Sequence, residues 1–166
     1  MLSLGIDPGT AIVGYGFVEE HNDGSLEAIH YGVIRTPAKT PMPERLETIF
    51  NELSDLIETY QPQSAGVEEL FFARNVTTAI TVAQSRGCIL LALQQAQIRI
   101  NEYKPNQIKQ SISGYGGADK AQMQEMVRLL LNLEKIPKPD DAADALAVAI
   151  TDIHTSHYPS AYDDLT

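Results

Sequence analysis

Four acidic residues stand at positions from which carboxylates can be brought together. Asp7 ends the apolar run "LSLGID" and Glu68 ends the strand predicted in "SAGVEE". Asp141 and Asp144 lie three residues apart in "PDDAADALAVAI", so they project from one side of a predicted apolar helix. Carboxylates on the stripe that should face the core suggest a chemical function for that end of the helix.

The chemistry that suits these residues is metal-assisted phosphoryl transfer. Mg²⁺ takes hard oxygen ligands and keeps several of its waters. Two such ions, about 4 Å apart, can hold the attacking and leaving oxygens of an in-line displacement. Four carboxylates balance the charge of two Mg²⁺, whereas without metal they would repel one another strongly. Mn²⁺ also accepts carboxylates, so the residue types do not select between the two metals.

Each carboxylate taken alone also has an ordinary structural interpretation. Asp7 in "DPGT" can be a turn residue, and Glu68 can be a solvated charge. Acidic residues in the first turn of a helix are favoured by its dipole. Asp140 is better placed than Asp141 to be the N-cap, and helical geometry alone does not exclude it from the pair. Only the four residues together favour a metal site.

The predicted elements form an α/β chain that could place these residues at one edge of a sheet. Apolar and β-branched runs predict strands over 2–7, 13–20, 26–36, 64–70 and 98–103. The turn "HNDG" predicts that the opening strands pair antiparallel. Periodicity and capping signals predict helices over 43–62, 76–95, 105–112, 119–133 and within 137–154, with Asp119 as an N-cap. This order predicts a mixed five-stranded sheet flanked by helices.

Charge and composition narrow the class of protein. The 166 residues are 43% hydrophobic, which is typical of one folded domain. The net charge of −10 argues against a generic nucleic-acid binder. The charge is uneven, however, because residues 74–120 carry six basic and two acidic side chains. This basic island beside an acidic metal site suits a phosphate backbone held across bound ions.

Targeting signals are not evident in the sequence. The N-terminus "MLSLGIDPGT" lacks the basic and long apolar regions of a signal peptide. No apolar run approaches the roughly 20 residues that a membrane helix needs. Cys88 is the single cysteine, so an intrachain disulfide cannot form. These features predict a cytoplasmic protein with no membrane association.

Five blocks of the sequence resemble a bacterial nuclease family in order and spacing. They are "LGIDPGTAIVGYG", "GVEELFFARN", "QSRGCILLALQQ", "YKPNQIKQSISGYGGADKAQM" and "DDAADALAVAI". Over about residues 2–155 the chain is similar to the RuvC crossover junction endodeoxyribonucleases, which have a ribonuclease H-like fold. The resemblance implies a nuclease domain over 1–155, and we expect a loosely ordered acidic tail over 156–166.

The resemblance implies a homodimer that resolves Holliday junctions during DNA recombination and repair. Each subunit would nick one of two opposed strands of the four-way DNA junction, using a divalent metal, with two Mg²⁺ expected per subunit. The helix that contains Arg86 and Gly87 would supply much of the dimer interface. The expected partner is the RuvA–RuvB branch-migration complex.

The resemblance also assigns roles to individual residues. The metal ligands and catalytic residues would be Asp7, Glu68, Asp141 and Asp144, which selects Glu68 over Glu69 and Asp141 over Asp140. The residues implied in DNA binding are Phe71, Arg74, Asn75, Lys109 and Lys120. Phe71 would stack on bases near the junction centre, and this agrees with its adjacent Phe72, since two neighbouring aromatics cannot both face one side of a strand. The two lysines would approach phosphates.

Other interpretations stay open from the sequence alone. "GIDPGT" also resembles the first phosphate motif of actin-like sugar kinases and ATPases, although 166 residues are too few for their two domains. A non-catalytic junction-binding protein would have lost a ligand, and a related ribonuclease H-like nuclease could act on RNA or other branched DNA. The chain ends "SAYDDLT" where many family members are basic, which leaves the strength and salt tolerance of junction binding open.

Overall fold

A five-stranded mixed sheet forms the centre of the fold. The structure, a computed structural model, describes residues 1–69 and 76–157. The strands are β1 (Leu2–Asp7), β2 (Ile12–Glu20), β3 (Leu26–Arg35), β4 (Ser64–Glu68) and β5 (Arg99–Tyr103). Their order in the sheet is β3-β2-β1-β4-β5, with β1, β2 and β3 antiparallel and β4 parallel to both of its neighbours. The predicted mixed sheet with an antiparallel opening is confirmed.

Helices cover both faces of this sheet and create two apolar cores. The helices are α1 (Met42–Tyr60), α2 (Val76–Gln95), α3 (Pro105–Ser113), α4 (Lys120–Leu130) and α5 (Asp140–Ser156). Leu4 and Ile6 of β1 pack on one face with α1 and α2. On the other face α5 lies against β1 and β2, and α3 and α4 pack on α5. Within the two ranges that the structure covers, no helix is long and apolar enough to cross a membrane.

Three glycines in register allow α5 to lie directly on the sheet. Gly16, Gly5 and Gly66 are neighbours across β2, β1 and β4, and we call them the glycine row. A Cβ atom at Gly5 would overlap the backbone of α5 at Ala145 and Ala149. The helix therefore packs against bare backbone, which brings its N-terminal end close to the ends of the strands.

The ends of α4 show one confirmed and one wrong prediction. Asp119 is the N-cap, since its carboxylate accepts a hydrogen bond from the backbone N–H of Gln122 at 2.9 Å. The helix ends at Leu130, three residues before the predicted end. It stops there because Asn132 adopts a left-handed backbone with φ of 48° and the N–H of Leu133 returns to the carbonyl of Arg128.

Candidate active site

The strand ends bring Asp7 and Glu68 to the same edge of the sheet. They are the last residues of β1 and β4, which run parallel with Ile6 paired to Val67. Successive side chains of a strand point to opposite faces, so Asp7 shares the face of Gly5. Glu68 shares the face of Gly66 in the same way. Both carboxylates therefore lie on the side of the sheet that α5 covers.

Helix α5 begins above these strand ends. The carbonyl of Asp141 lies directly over Gly14, which is paired with Asp7 across β1 and β2. Asp144 lines a cavity of about 230 Å³ together with both strand-end carboxylates. The full lining of this cavity is Asp7, Glu68, Pro105, Ile108, Lys109, Lys120, Met123, Asp144 and Ala147. The structure thus brings three of the four candidate ligands to one cavity, while Asp141 lies next to it.

The electrostatics of the cavity couple these carboxylates to one another. Burial raises the pKa of Asp7 to about 7, and the charges of Glu68, Asp144 and Asp141 add to the shift. Burial, together with the charge of Asp144, also raises the pKa of Glu68 to about 7. The pKa of Asp144 is raised chiefly by burial, against the opposing effect of Lys120. Such clusters of perturbed carboxylates favour a bound cation.

Asp140 has a different environment from Asp141. Its carboxylate lies 2.7 Å from the Nζ atom of Lys138 and 3.1 Å from that of Lys120. Hydrogen bonds from these two lysines hold the pKa of Asp140 well below its usual value. The suggestion that Asp140 is the N-cap is wrong, because Pro139 occupies that position and no side chain caps the helix. Asp140 is the counter-ion of two lysines, whereas Asp141 acts on Asp7.

The donor chemistry of the cavity fits a hard divalent cation. The acidic side chains that line the cavity are carboxylates, the oxygen donors that Mg²⁺ prefers. Among residues 1–69 and 76–157, however, no three His, Cys, Asp or Glu side chains converge closely enough to hold an ion as they stand. Mutual repulsion of the carboxylates and the attraction of Asp144 to Lys120 both act to keep them apart. Small side-chain movements would be needed to complete coordination.

The residues predicted to bind DNA fall into two groups. Lys109 and Lys120 both line the cavity beside the carboxylates, as a phosphate contact requires. Phe71, Arg74 and Asn75 lie outside the described residues. Arg86, another member of the basic island, is occupied by an ion pair with Glu102. The positive charge of Arg86 is therefore partly neutralised by Glu102.

One buried acidic residue near the sheet was not singled out from the sequence. Asp152 of α5 is fully buried and lies over the face of the sheet that carries the glycine row. The available signal was a pattern shared by the two parallel strands, "SLGID" and "SAGVE", each with serine, glycine and an acid at alternate positions. Those alternate positions form one face of each strand.

Comparison with known proteins decides the family. The family model described as crossover junction endodeoxyribonuclease RuvC matches residues 3–152. The chain belongs to the RuvC family. RuvC of Heliobacterium modesticaldum is 59% identical over 155 residues, which cover 93% of this chain and 95% of that protein.

Solved RuvC structures share the architecture described above. A Thermus thermophilus RuvC structure superposes with a TM-score of 0.89 at 33% identity, covering 95% of this chain and 96% of that one. The T. thermophilus RuvC in complex with a Holliday junction substrate gives a TM-score of 0.87 at 30% identity, with the same coverage. The ribonuclease H-like fold predicted from the sequence is confirmed.

Family membership confirms the class of activity predicted from the sequence. The chain is a divalent metal-dependent endodeoxyribonuclease that resolves crossover junctions, as RuvC proteins are. This replaces the alternative of an actin-like kinase or ATPase.

Proposed function

We propose that this RuvC protein cuts Holliday junctions with Asp7, Glu68, Asp141 and Asp144 as its catalytic carboxylates. The observation that carries the proposal is that Asp7, Glu68 and Asp144, whose pKa values are raised, line one cavity together with two lysines. Asp141 joins the set through its effect on the pKa of Asp7. Asp140 is left out because two lysines neutralise it.

Two Mg²⁺ ions per subunit are the proposed cofactor, with Mn²⁺ as a substitute. Such ions would supply charge neutralisation at the scissile phosphate and a water with a lowered pKa. Asp7 and Glu68 must give up their protons to act as ligands, so their raised pKa values make metal affinity sensitive to pH. Ile108 and Met123 supply apolar parts of the cavity wall.

The proposed roles of Lys109 and Lys120 are to hold and orient the DNA backbone. Both line the cavity that contains the carboxylates, so a phosphate between them would lie next to the proposed metal ligands. The T. thermophilus RuvC that was solved with a Holliday junction substrate is 30% identical to this chain, which supports the same substrate here. Stacking by Phe71 and contacts from Arg74 and Asn75 remain part of the proposal by family resemblance.

A homodimer formed through α2 is the proposed assembly. Ile80 and Leu91 are 57% and 52% exposed and lie eleven positions apart, which places them on one stripe of the helix. Gly87 lies on the same stripe, and a Cβ atom there would meet nothing within 4 Å. An exposed apolar stripe with a flat centre suits close packing against a second helix. The RuvA–RuvB complex is proposed as partner on the family resemblance alone.

The deciding experiment uses the purified protein on a synthetic mobile four-way junction, with Mg²⁺ and with EDTA. We expect metal-dependent, paired nicks on opposed strands, confined to the junction. Linear duplex DNA, branched RNA and ATP serve as control substrates. Binding of the junction without cleavage across several junction sequences would favour a non-catalytic binding protein. Equal cleavage of branched RNA would favour a nuclease of broader substrate range.

A further inference from the structure

The carboxylate of Asp152 ties α5 to three neighbouring strands. Its Oδ2 atom accepts hydrogen bonds from the hydroxyls of Ser3 and Ser64, at 2.6 and 2.5 Å. Its Oδ1 atom accepts hydrogen bonds from the amide of Asn101 at 2.7 Å and the hydroxyl of Tyr103 at 2.9 Å. Each carboxylate oxygen thus receives two donors, which is the full acceptor capacity of an ionised carboxylate.

Stability alone does not require a carboxylate at this position. Burying a charge is costly even when it is fully hydrogen-bonded, and an apolar residue of similar volume is often as stabilising. The hydrogen bonds to Asp152 are nevertheless complete, and burial with its charge raises the pKa of Tyr103, so the phenol remains a donor. A buried polar network that is fully satisfied fixes one arrangement of the elements it joins.

Because α5 packs on the glycine row, its position along the strands has to be fixed by contacts other than side-chain packing. Helix packing is normally held in register by side chains that fit into the grooves of the opposing surface. At Gly5 and Gly66 the opposing surface has no side chain, so it offers little resistance to sliding of the helix along the strands. A directional set of hydrogen bonds at Asp152 supplies the register that packing on glycine does not.

The position of α5 along the strands determines where its N-terminal carboxylates lie at the cavity. Helix α5 runs antiparallel to β1, since Asp141 lies over Gly14 beside Asp7 while Asp152 is bonded to Ser3. The eight residues from Asp144 to Asp152 rise about 12 Å along a helix. The four residues from Ser3 to Asp7 span about 13 Å along a strand. Fixing one end of the helix over the serines therefore aligns its other end with the strand-end carboxylates.

We propose that Asp152 is a positioning residue for the metal site, setting the axial register and rotation of α5 through its hydrogen bonds to β1, β4 and β5. The inference rests on the proposed function, because it takes the four carboxylates of the cavity region as the metal ligands. Asp152 itself does not line the cavity, so its proposed role is indirect. It acts through the placement of Asp141 and Asp144.

The test replaces the carboxylate while keeping its shape. Asp152→Asn presents one acceptor oxygen and turns an amide donor toward groups that are themselves donors. We expect the dissociation constant for Mn²⁺, measured by calorimetry on the full-length protein, to rise about 10- to 100-fold, as outer residues of metal sites do when changed. Nicking should recover to within about threefold of wild type at saturating metal, and junction binding in EDTA should be unchanged.

Matched variants separate positioning from general loss of stability. Ile150→Val and Ile150→Ala alter another fully buried residue of α5. The first should lower the melting temperature slightly and the second strongly, so that one of them can be matched to Asp152→Asn. We expect neither to weaken metal binding beyond about twofold. Should Asp152→Asn fail to fold, Ser3→Ala and Ser64→Ala each remove one hydrogen bond from the carboxylate. Each is expected to weaken Mn²⁺ binding about three- to tenfold.

The outcomes distinguish this inference from the proposed function. Wild-type affinity for Mn²⁺ in Asp152→Asn, or an equal loss in an Ile150 variant of matched melting temperature, overturns the positioning role and leaves the proposed function standing. A wild-type protein that binds no divalent metal, or an Asp7→Asn variant that binds it equally well, overturns both. Weakened binding in the Asp152 and serine variants alone supports the positioning role.

Discussion

Lys120 lies 3.7 Å from Asp144, from Nζ to Oδ2, at the cavity that we propose as the metal site. The same nitrogen lies 3.1 Å from the Oδ2 atom of Asp140. A lysine in this position partly neutralises Asp144 and competes with a metal ion for it. We expect a bound phosphate to draw the lysine away from Asp144, which would couple DNA binding to completion of the metal site.

Replacement of Lys120 should affect DNA binding and metal binding in opposite directions. Lys120→Gln removes one phosphate contact, so junction affinity should fall and the slope of log K against log salt should decrease by about one. Metal affinity of the free protein should rise because a competing cation is lost. Fluorescence anisotropy of a labelled junction over a range of KCl concentrations in EDTA measures the slope. Lys138→Gln is the matched control, since Lys138 pairs with Asp140 but does not line the cavity. An equal change of slope in both variants would contradict a specific phosphate contact by Lys120.

Adjacent aspartates at the start of α5 should differ sharply in their effect on cleavage. Asp141→Asn should reduce the rate of nicking by more than about 100-fold, because loss of a direct ligand exceeds the effect of outer residues. Junction binding should persist. Asp140→Asn should keep the rate within a fewfold of wild type, since the carboxylate of Asp140 is taken up by two lysines. Single-turnover nicking assays compare the two, and the reverse order of effects would assign the ligand to Asp140.

The metal-free protein should lose stability as the pH rises toward 7. Asp7 has a pKa of about 7 in the folded protein and an ordinary value of 3.8. The folded state therefore binds more protons than the unfolded state between these values, and its stability falls as the pH rises through that window. Asp7→Asn cannot ionise, so its melting temperature relative to wild type should increase between pH 5 and pH 8 in EDTA.

Metal provides the control for this pH effect. Each pKa unit corresponds to about 1.4 kcal/mol, so the difference between the two proteins should be readily measurable by calorimetry. Excess Mg²⁺ at pH 8 should raise the melting temperature of the wild type more than that of Asp7→Asn, because the wild type gains stability from metal binding that the variant has lost. A difference in melting temperature that does not depend on pH would show that Asp7 titrates at its ordinary value.

An acidic residue on the exposed stripe of α2 should prevent dimer formation. Leu91→Glu places a charge at the proposed interface, where its burial without a partner is unfavourable. Sedimentation velocity at micromolar concentration should show a monomer, with paired nicking lost. Leu129→Glu is a suitable control because Leu129 of α4 is equally exposed, at 54% against 52% for Leu91. If the control dissociates the protein instead, the interface lies on α4.

The sequence predicted that the two strand-end carboxylates lie close together, but it did not predict the contacts around the carboxylates of α5. Asp7 and Glu68 could be placed because each ends an apolar run, and strands of a sheet bring their ends together. The environments of Asp140 and Asp141 could not be separated, since they depend on where Lys120 and Lys138 fall in space. Local pattern contains no information on such contacts between distant parts of the chain.

The buried position of Asp152 could not be predicted from the sequence because it also depends on contacts between distant parts of the chain. A single acidic residue near the end of a helix is ordinarily a solvated side chain. Its burial follows from four donors that lie on three different strands, as far as 149 positions away in the chain. Only the register of β1 against β4 shows that Ser3 and Ser64 lie side by side beneath it.

The glycine row also determines how this enzyme can vary. The separation between α5 and the sheet is fixed by backbone thickness, which mutation of neighbouring side chains cannot shorten or lengthen. Any side chain introduced at Gly5 or Gly66 would act as a spacer and move the helical carboxylates away from the strand carboxylates together. The distance between the strand-end carboxylates and those at the start of α5 therefore depends on these glycines remaining glycines.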